Sequence, residues 1–252
     1  MSTSINKLFD DAQDEGLSLP ASSILVENLN ALTVAGAQGA SIEDLAGDEV
    51  TLFCAVVDAT GSMDPHRSEV VYAYNQMLDA VSESKASDSI LFSSWMFNTM
   101  PRLLHSYQTL DNVSKLTLSD YVPDDLTALF DATLHSLTSV VAYGQDLRNN
   151  GIRTKVVVVI FTDGDDNASR TRVEDVRVVV ESLLKQEYYI LALVAFGSGF
   201  AQQVANEMGI PNVLEVNADP GEIRKAMGTV SKSVIRASQT KIDPSKSSSF
   251  FS

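Results

Sequence analysis

One cysteine, Cys54, among 252 residues leaves the chain without an internal disulfide framework. It lies in the apolar run from Val50 to Val57, where a small buried thiol is expected. Basic residues are also scarce, with 18 Lys and Arg against 33 Asp and Glu and a net charge of −15. A surface of that sign repels phosphate backbones and anionic lipid, so neither nucleic acid nor a membrane is expected as a partner. Long apolar runs are missing, and nothing at the N-terminus joins basic residues to an apolar stretch. These absences predict no membrane span and no signal peptide, with the cytoplasm as the expected compartment. The three histidines show no metal-ligand spacing and no nucleophile beside them. His105 is expected on a strand surface and His135 at a solvated helix position.

What is present suits a soluble globular domain. A hydrophobic content of 44% with 20% charged residues is enough for one sizeable core. Residues 1–48 read as a helical leader, with helix-like pieces at Ile5–Ala12 and Ala21–Leu32 and a Gly/Ala-rich link at Ala35–Ala40. A short capped turn follows at Ser41–Leu45. The pattern leaves open whether this leader packs on the main domain or reaches for a partner. Residues 49–236 form the main domain, and the Ser/Lys-rich residues 237–252 are expected to be disordered.

Within the main domain, strands and helices alternate. Thr51–Val57 has the length of a buried strand, and Lys155–Thr162 is apolar enough to be central in a sheet covered on both faces. Ser89–Phe97 and Arg102–Tyr107 read as a hairpin, which supplies one antiparallel edge strand. Further strands are expected at Tyr189–Phe196 and Asn212–Val216. Helical spacing marks the stretch after Pro65, then Thr127–Leu147, Val173–Gln186, Phe200–Met208 and Pro220–Ile235. The expected fold is α/β, doubly wound, with a mostly parallel central sheet and helices on both faces. Ligands of such sheets bind beyond the carboxyl ends of the strands, so the loops after Val57, Thr162 and Phe196 draw attention.

The first of these loops is Asp58-Ala-Thr60-Gly-Ser62-Met63, where a carboxylate and two hydroxyls alternate. Gly61 is expected to permit the tight backbone path that lets them converge. Hard oxygen donors suit magnesium or calcium rather than zinc. The plainer alternative is a polar turn in which Asp58 or Ser62 caps the next helix. The loop after the central strand, Thr162-Asp163-Gly164-Asp165-Asp166-Asn167, brings a carboxylate to the same sheet edge, or forms a solvated acidic turn. Solvation with local hydrogen bonds is the expected lot of Asp166 and Asn167. In Asp124-Asp125-Leu126-Thr127-Ala128-Leu129, Thr127 is either an N-cap or a third hydroxyl donor.

A hydrophobic strand ending in Asp-x-Thr-x-Ser, a Leu-Thr-Ala-Leu before a helix, and a strand ending in Thr-Asp-Gly together resemble the metal-ion-dependent adhesion site of von Willebrand factor A domains. The resemblance covers roughly residues 48–236. It implies a Rossmann-like sheet and one Mg²⁺, with Mn²⁺ or Ca²⁺ as substitutes, held by Asp58, Thr60, Ser62, Thr127 and Asp163. Ser62 and Thr60 would offer hydroxyls, Asp58 and Asp163 would hold coordinated waters, and Thr127 would join when a ligand is present. Thr60 replaces the family's commoner serine, keeping the hydroxyl and adding a methyl. The implied function is non-enzymatic: an adaptor whose cation takes a carboxylate from a protein partner's Asp or Glu. Met63, His66 and Asp165 are expected at the partner-facing rim. Intracellular relatives of this family cooperate with AAA+ ATPases or stress systems, which makes such a component the implied partner.

Three other readings compete. Asp163-x-Asp165-x-Asn167 with Glu174 at the twelfth place approximates a calcium loop, but Ala168 stands where glycine is needed and a strand precedes it. Asp58 after a buried strand fits the nucleophile of a metal-dependent phosphoryl-transfer enzyme. Thr60, however, occupies the place of the second acid, and Phe196-Gly-Ser-Gly199 occupies that of a receiver's lysine. The same Gly197-x-Gly199 lacks the third glycine of a dinucleotide fingerprint. Trp95, Met96 and Phe97 read as core, and Arg170 and Arg172 as counter-charge to the acidic loop.

Overall fold

The computed structural model describes residues 5–197, 199–240 and 250–251. Three helices come first: α1 (Ile5–Asp14), α2 (Leu19–Glu27) and α3 (Ala31–Gly36). Then follow β1 (Glu49–Asp58), α4 (Arg67–Ser82), β2 (Ile90–Phe97), β3 (Pro101–Thr109), α5 (Leu129–Asn149) and β4 (Arg153–Thr162). The chain continues through α6 (Val173–Leu184), β5 (Tyr189–Phe196), α7 (Ala201–Met208), β6 (Asn212–Val216) and α8 (Pro220–Gln239).

The strands form one sheet in the order β3-β2-β1-β4-β5-β6, with only β2 and β3 antiparallel. The period-2 alternation of side chains splits the core into two layers. Leu52, Cys54 and Val56 of β1 join Val156, Val158 and Ile160 of β4 on one face, under α5 and α6. Phe53, Ala55 and Val57 join Val157, Val159 and Phe161 on the other, under α4 and α8. Both faces are therefore covered, which is why these strands are apolar throughout rather than alternating. Because β1 leads outward to β2 and β4 leads outward to β5, the strand order reverses between β1 and β4. Such a reversal opens a crevice at the carboxyl end of the sheet.

The leader belongs to this core. Leu8, Phe9, Ala12, Leu17, Ala21 and Leu25 are buried in the α5/α6 layer. The Ser18 N–H donates to Ser182 Oγ at 2.8 Å, and Asn28 Nδ2 donates to Thr138 Oγ1 at 2.8 Å. The single helix expected over Ala21–Leu32 is broken in two. Asn30 takes an extended backbone and accepts from the N–H groups of Leu32 and Thr33, while Thr33 Oγ1 accepts from the Asn30 N–H, so a capping box starts α3. That new helix consumes the first part of the expected Gly/Ala link.

Local chemistry shifts other boundaries. Pro65 lies inside a 3-10 turn, Gly61–His66, and α4 begins only at Arg67. At the C-terminal end, α8 is capped by Asp219 and runs past the expected boundary to Gln239. Disorder expected over 237–252 falls, for residues 241–249 and 252, outside the described residues. Phe250 is buried and its N–H donates to Asn212 Oδ1 at 3.0 Å. His105 is not a surface group: it is buried, with Nδ1 2.8 Å from Ser94 Oγ and Nε2 3.0 Å from Ser114 Oγ. His135 is half-buried against the leader, 3.0 Å from Asn30 Nδ2, because α3 covers that face of α5. Trp95, Met96, Phe97 and Cys54 are all buried. Among the described residues, no helix is long and apolar enough to cross a membrane.

If the leader is structural, truncating its anchor must cost as much as a core truncation. Phe9→Ala is expected to lower unfolding stability by about 3–5 kcal/mol, read by urea denaturation. An unchanged midpoint would show instead that the leader docks without contributing to the fold.

Candidate metal centre at the sheet's carboxyl edge

Asp58 ends β1 at the strand-order reversal and is 0% exposed. Its Oδ1 accepts from the Thr60 N–H at 2.8 Å and its Oδ2 from Thr162 Oγ1 at 2.7 Å. Its own carbonyl accepts from the hydroxyl of buried Tyr121 at 2.6 Å. Burial pushes the Asp58 carboxyl up to about 6, against the hydrogen bonds from Thr60 and Thr162, and the nearby Asp163 carboxylate adds to the rise. Asp163 is also raised, first by burial, while its hydrogen bond from Ser62 and the charge of His66 oppose the shift.

Four of the five sequence-derived donors form one connected chain. Thr60 Oγ1 lies 3.1 Å from Ser62 Oγ, and Ser62 Oγ donates to Asp163 Oδ1 at 2.8 Å. Neither Asp58 nor Ser62 caps α4: the 3-10 turn intervenes and leaves α4 without a side-chain cap. The tight path owes less to Gly61 than expected. Its φ is not in the left-handed region, and an added Cβ would rest at an ordinary 3.5 Å from the Asp125 carbonyl oxygen. What holds the loop is backbone pairing, with the Gly61 N–H donating to that carbonyl at 3.1 Å and the Asp124 N–H to the Ala59 carbonyl at 3.0 Å. Asp125 is the residue in the left-handed region, at φ 62°, a conformation Asp tolerates better than most.

Thr127 enters by a different route. It is buried just before α5, whose cap position is Ala128, and its backbone makes the links. Its N–H donates to Asn167 Oδ1 at 2.7 Å, and its carbonyl accepts from the N–H groups of Asn167 and Ala168 at 2.9 and 3.1 Å. Thr127 thus sits beside the β4–α6 loop, outside the hydrogen-bonded chain of the other four.

Asn167 is exposed and Asp166 accepts local hydrogen bonds from Ser169, as expected of a solvated turn, but both also reach the start of α5. Asp166 Oδ1 accepts from the Phe130 N–H at 3.3 Å and from Ser169 Oγ, so together with Asn167 it straps the start of α5 to the end of β4. Sequence reasoning missed this strap, and it missed Tyr121 and the hydroxyl of Thr162. An Asp-Asp-Asn-x-Ser run before a helix does signal local capping; here the helix it serves is a distant one. Nothing in the sequence marks Tyr121.

The three residues expected at the partner-facing rim differ in exposure. Asp165 is exposed and His66 half-exposed. Met63 is a correction: it is 0% exposed, because the 3-10 turn directs it into the α4/α8 core layer, where no partner reaches it. Arg172 is spent on Asp175 at 2.7 Å rather than on the acidic loop. The calcium-loop reading gains no support, since Asn167 Oδ1 accepts from the Thr127 N–H and a strand, β4, precedes the loop.

The donor set fits a small hard cation. Adjacent oxygens of an octahedron with metal–oxygen bonds of 2.0–2.1 Å lie about 2.9 Å apart, against about 3.3–3.7 Å for the longer bonds of calcium. The observed spacings of 3.1 and 2.8 Å are those of hydrogen bonds among the donors themselves, and they bring three oxygens within reach of one small ion. Oxygen-only chemistry, with two carboxyls and neutral hydroxyls, is also what magnesium or manganese accepts.

No protein-family model and no curated protein matches the sequence. Solved structures do match the fold. The PilB minor pilin from Streptococcus sanguinis aligns with a TM-score of 0.57 at 13% identity, covering 76% of this chain and 63% of that one. The pilus adhesin SpaC from Lactobacillus rhamnosus GG gives 0.57 at 10% identity over 77% and 31%. Proximal thread matrix protein 1 from the mussel byssus gives 0.52 at 19% identity over 76% and 47%. The chain thus spans less than two thirds of the length of these proteins.

The Asp58 environment generates a pH prediction for the metal-free protein. Its folded value of about 6 lies above the ordinary 3.8, so between these values the folded state holds a proton that the unfolded chain has released. Folding stability in EDTA should therefore fall as pH rises from about 4 to about 6, then level off. Asp58→Asn should flatten that slope in urea denaturation, and equal slopes for both proteins would contradict the assignment.

With its sheet order, its covered faces and these structural likenesses, the chain has a von Willebrand factor A-like fold.

Proposed function

We propose that this chain is a divalent-cation-dependent protein-recognition domain, with Mg²⁺ as its ion and no catalytic step. The observation that carries this reading is the connected set Asp58, Thr60, Ser62 and Asp163 at the strand-order reversal. Thr60 and Ser62 would present neutral hydroxyls to the ion, and buried Asp58 would supply negative charge behind them. Asp163 would complete the near side, and Thr127 would join from the far side. Neutral hydroxyl donors leave much of the ion's charge uncompensated, which favours a carboxylate arriving from outside. A partner's Asp or Glu is the group that meets this demand.

Nucleophilic chemistry at Asp58 finds no support in the geometry. Both carboxylate oxygens are engaged and the residue is fully buried, so a phosphoryl group has no approach to it. The lattice of donors around Asp58 orients and holds; it does not expose a reacting atom.

The test is thermal unfolding against Mg²⁺ concentration. An ion that binds only the folded state stabilises by about 2.7 kcal/mol at a hundredfold excess over its dissociation constant, and the melting temperature should rise accordingly. Asp58→Ala should abolish the rise, and Ca²⁺ should produce a smaller one than Mg²⁺ or Mn²⁺. Equal Mg²⁺ responses from the parent and the variant would overturn the reading.

A further inference from the structure

The cation face carries more information than its donors. Asp64 lies in the 3-10 turn just after Ser62, Asp165 lies two residues beyond Asp163, and Asp124 and Asp125 are tied by backbone hydrogen bonds to Ala59 and Gly61. All four are exposed, and among the described residues none of them forms an ion pair. Asp64 and Asp165 closely follow the donors Ser62 and Asp163 in sequence, and Asp124 and Asp125 are held against the Ala59–Gly61 loop, so all four belong to the donor loops. An acidic segment approaching such a rim meets like charge at close range, which costs both encounter rate and affinity.

Large apolar side chains are interleaved with these acids. Val122 and Leu126 flank Asp124 and Asp125 in one loop and are 53% and 54% exposed. Met100, 72% exposed, crowns the β2–β3 turn, which is joined to that loop by the Ala128 N–H to the Asn98 carbonyl at 2.7 Å. Between Met100 and Val122 opens a cavity of about 310 Å³ lined by Ala59, Met96 and Phe97, with Asn98 and Arg102 forming its polar side. Ala59 stands between the donors Asp58 and Thr60 in sequence, so the cavity adjoins the donor loop, although the donors themselves do not line it. Its size suits one bulky apolar side chain.

From this arrangement we infer that the partner docks through a net-basic segment with a single carboxylate. The carboxylate goes to the cation, neighbouring Lys or Arg side chains face Asp64, Asp124, Asp125 and Asp165, and a Leu, Met or Phe side chain fills the Met100–Val122 cavity. The inference rests on the metal-dependent recognition proposed above and specifies the chemistry of what is recognised. Net charge complementarity sets the segment's sign, since both the rim and the whole chain, at −15, are acidic.

The experiment is selection from a random-peptide phage library on the immobilised full chain in excess Mg²⁺, with EDTA elution. Enriched peptides should carry one Asp or Glu, an excess of Lys and Arg, and a large apolar residue near the acid. The quadruple variant D64N/D124N/D125N/D165N keeps side-chain shape and hydrogen-bonding oxygens. It should bind the selected peptides at least about tenfold more weakly at low salt and lose most of their salt dependence. A Mg²⁺-induced rise in melting temperature, measured on the parent and on this variant, reads metal binding separately. If that rise is present but peptides are not enriched, or are enriched without basic flanks, the inference fails and the metal reading stands. If the parent shows no rise, the metal reading fails and this inference with it.

Discussion

A carboxyl group buried at the end of the first strand is the constraint around which this molecule is arranged. Asp58 lies where the sheet reverses its strand order, with no exposure to water, and burying an ionised carboxylate is expensive unless it is matched by donors or a cation. The chain supplies two donors, the Thr60 N–H and the Thr162 hydroxyl, and these do not hold the group at its ordinary acidity. The remaining electrostatic demand is what a divalent ion would meet on the proposed reading. The second carboxyl of the set, on Asp163, feels the same burial and sits one hydrogen bond from Ser62. Both residues therefore carry the same burial cost, which a proton relieves in the metal-free protein and a divalent ion would relieve in the proposed bound state.

Everything nearby serves to keep these groups in place. Tyr121 fixes the carbonyl of Asp58, and Arg67 in turn donates to the Tyr121 carbonyl at 2.8 Å and to that of Leu118, anchoring the long loop before α5. The backbone pairs Gly61–Asp125 and Asp124–Ala59 clamp that loop to the first motif. Asp166 and Asn167 clamp it to the third. Three loops distant in sequence thus behave as one rim, built on rigid strand ends rather than on free turns.

Much of this was legible in the sequence because it follows from periodicity and from strand-end motifs. The uninterrupted apolar runs of β1 and β4 mark strands buried on both faces, and the hairpin from Ser89 to Tyr107 marks the antiparallel edge. Asp58, Thr60, Ser62 and Asp163 stand out because residues that directly follow buried strands emerge at one edge. Harder to read was anything that depended on long-range pairing. Asn30 looked like the tail of a helix, yet its capping box starts a new one. Asp166 does bond locally to Ser169, yet it and Asn167 also have partners near residue 130. Met63 adjoins the donors in sequence, but a 3-10 turn rather than an α-helix follows β1, and the change of pitch turns it inward. Tyr121 left no signal, because a tyrosine in a loop carries no hint of which carbonyl its hydroxyl will find.

The most direct measurement of the central claim is the anomalous difference map of a crystal grown with Mn²⁺. The account predicts a single strong peak within bonding distance of Thr60 Oγ1 and Ser62 Oγ, beside Asp58 and Asp163. A map with no peak there, or with its manganese bound elsewhere on the acidic surface, would contradict it.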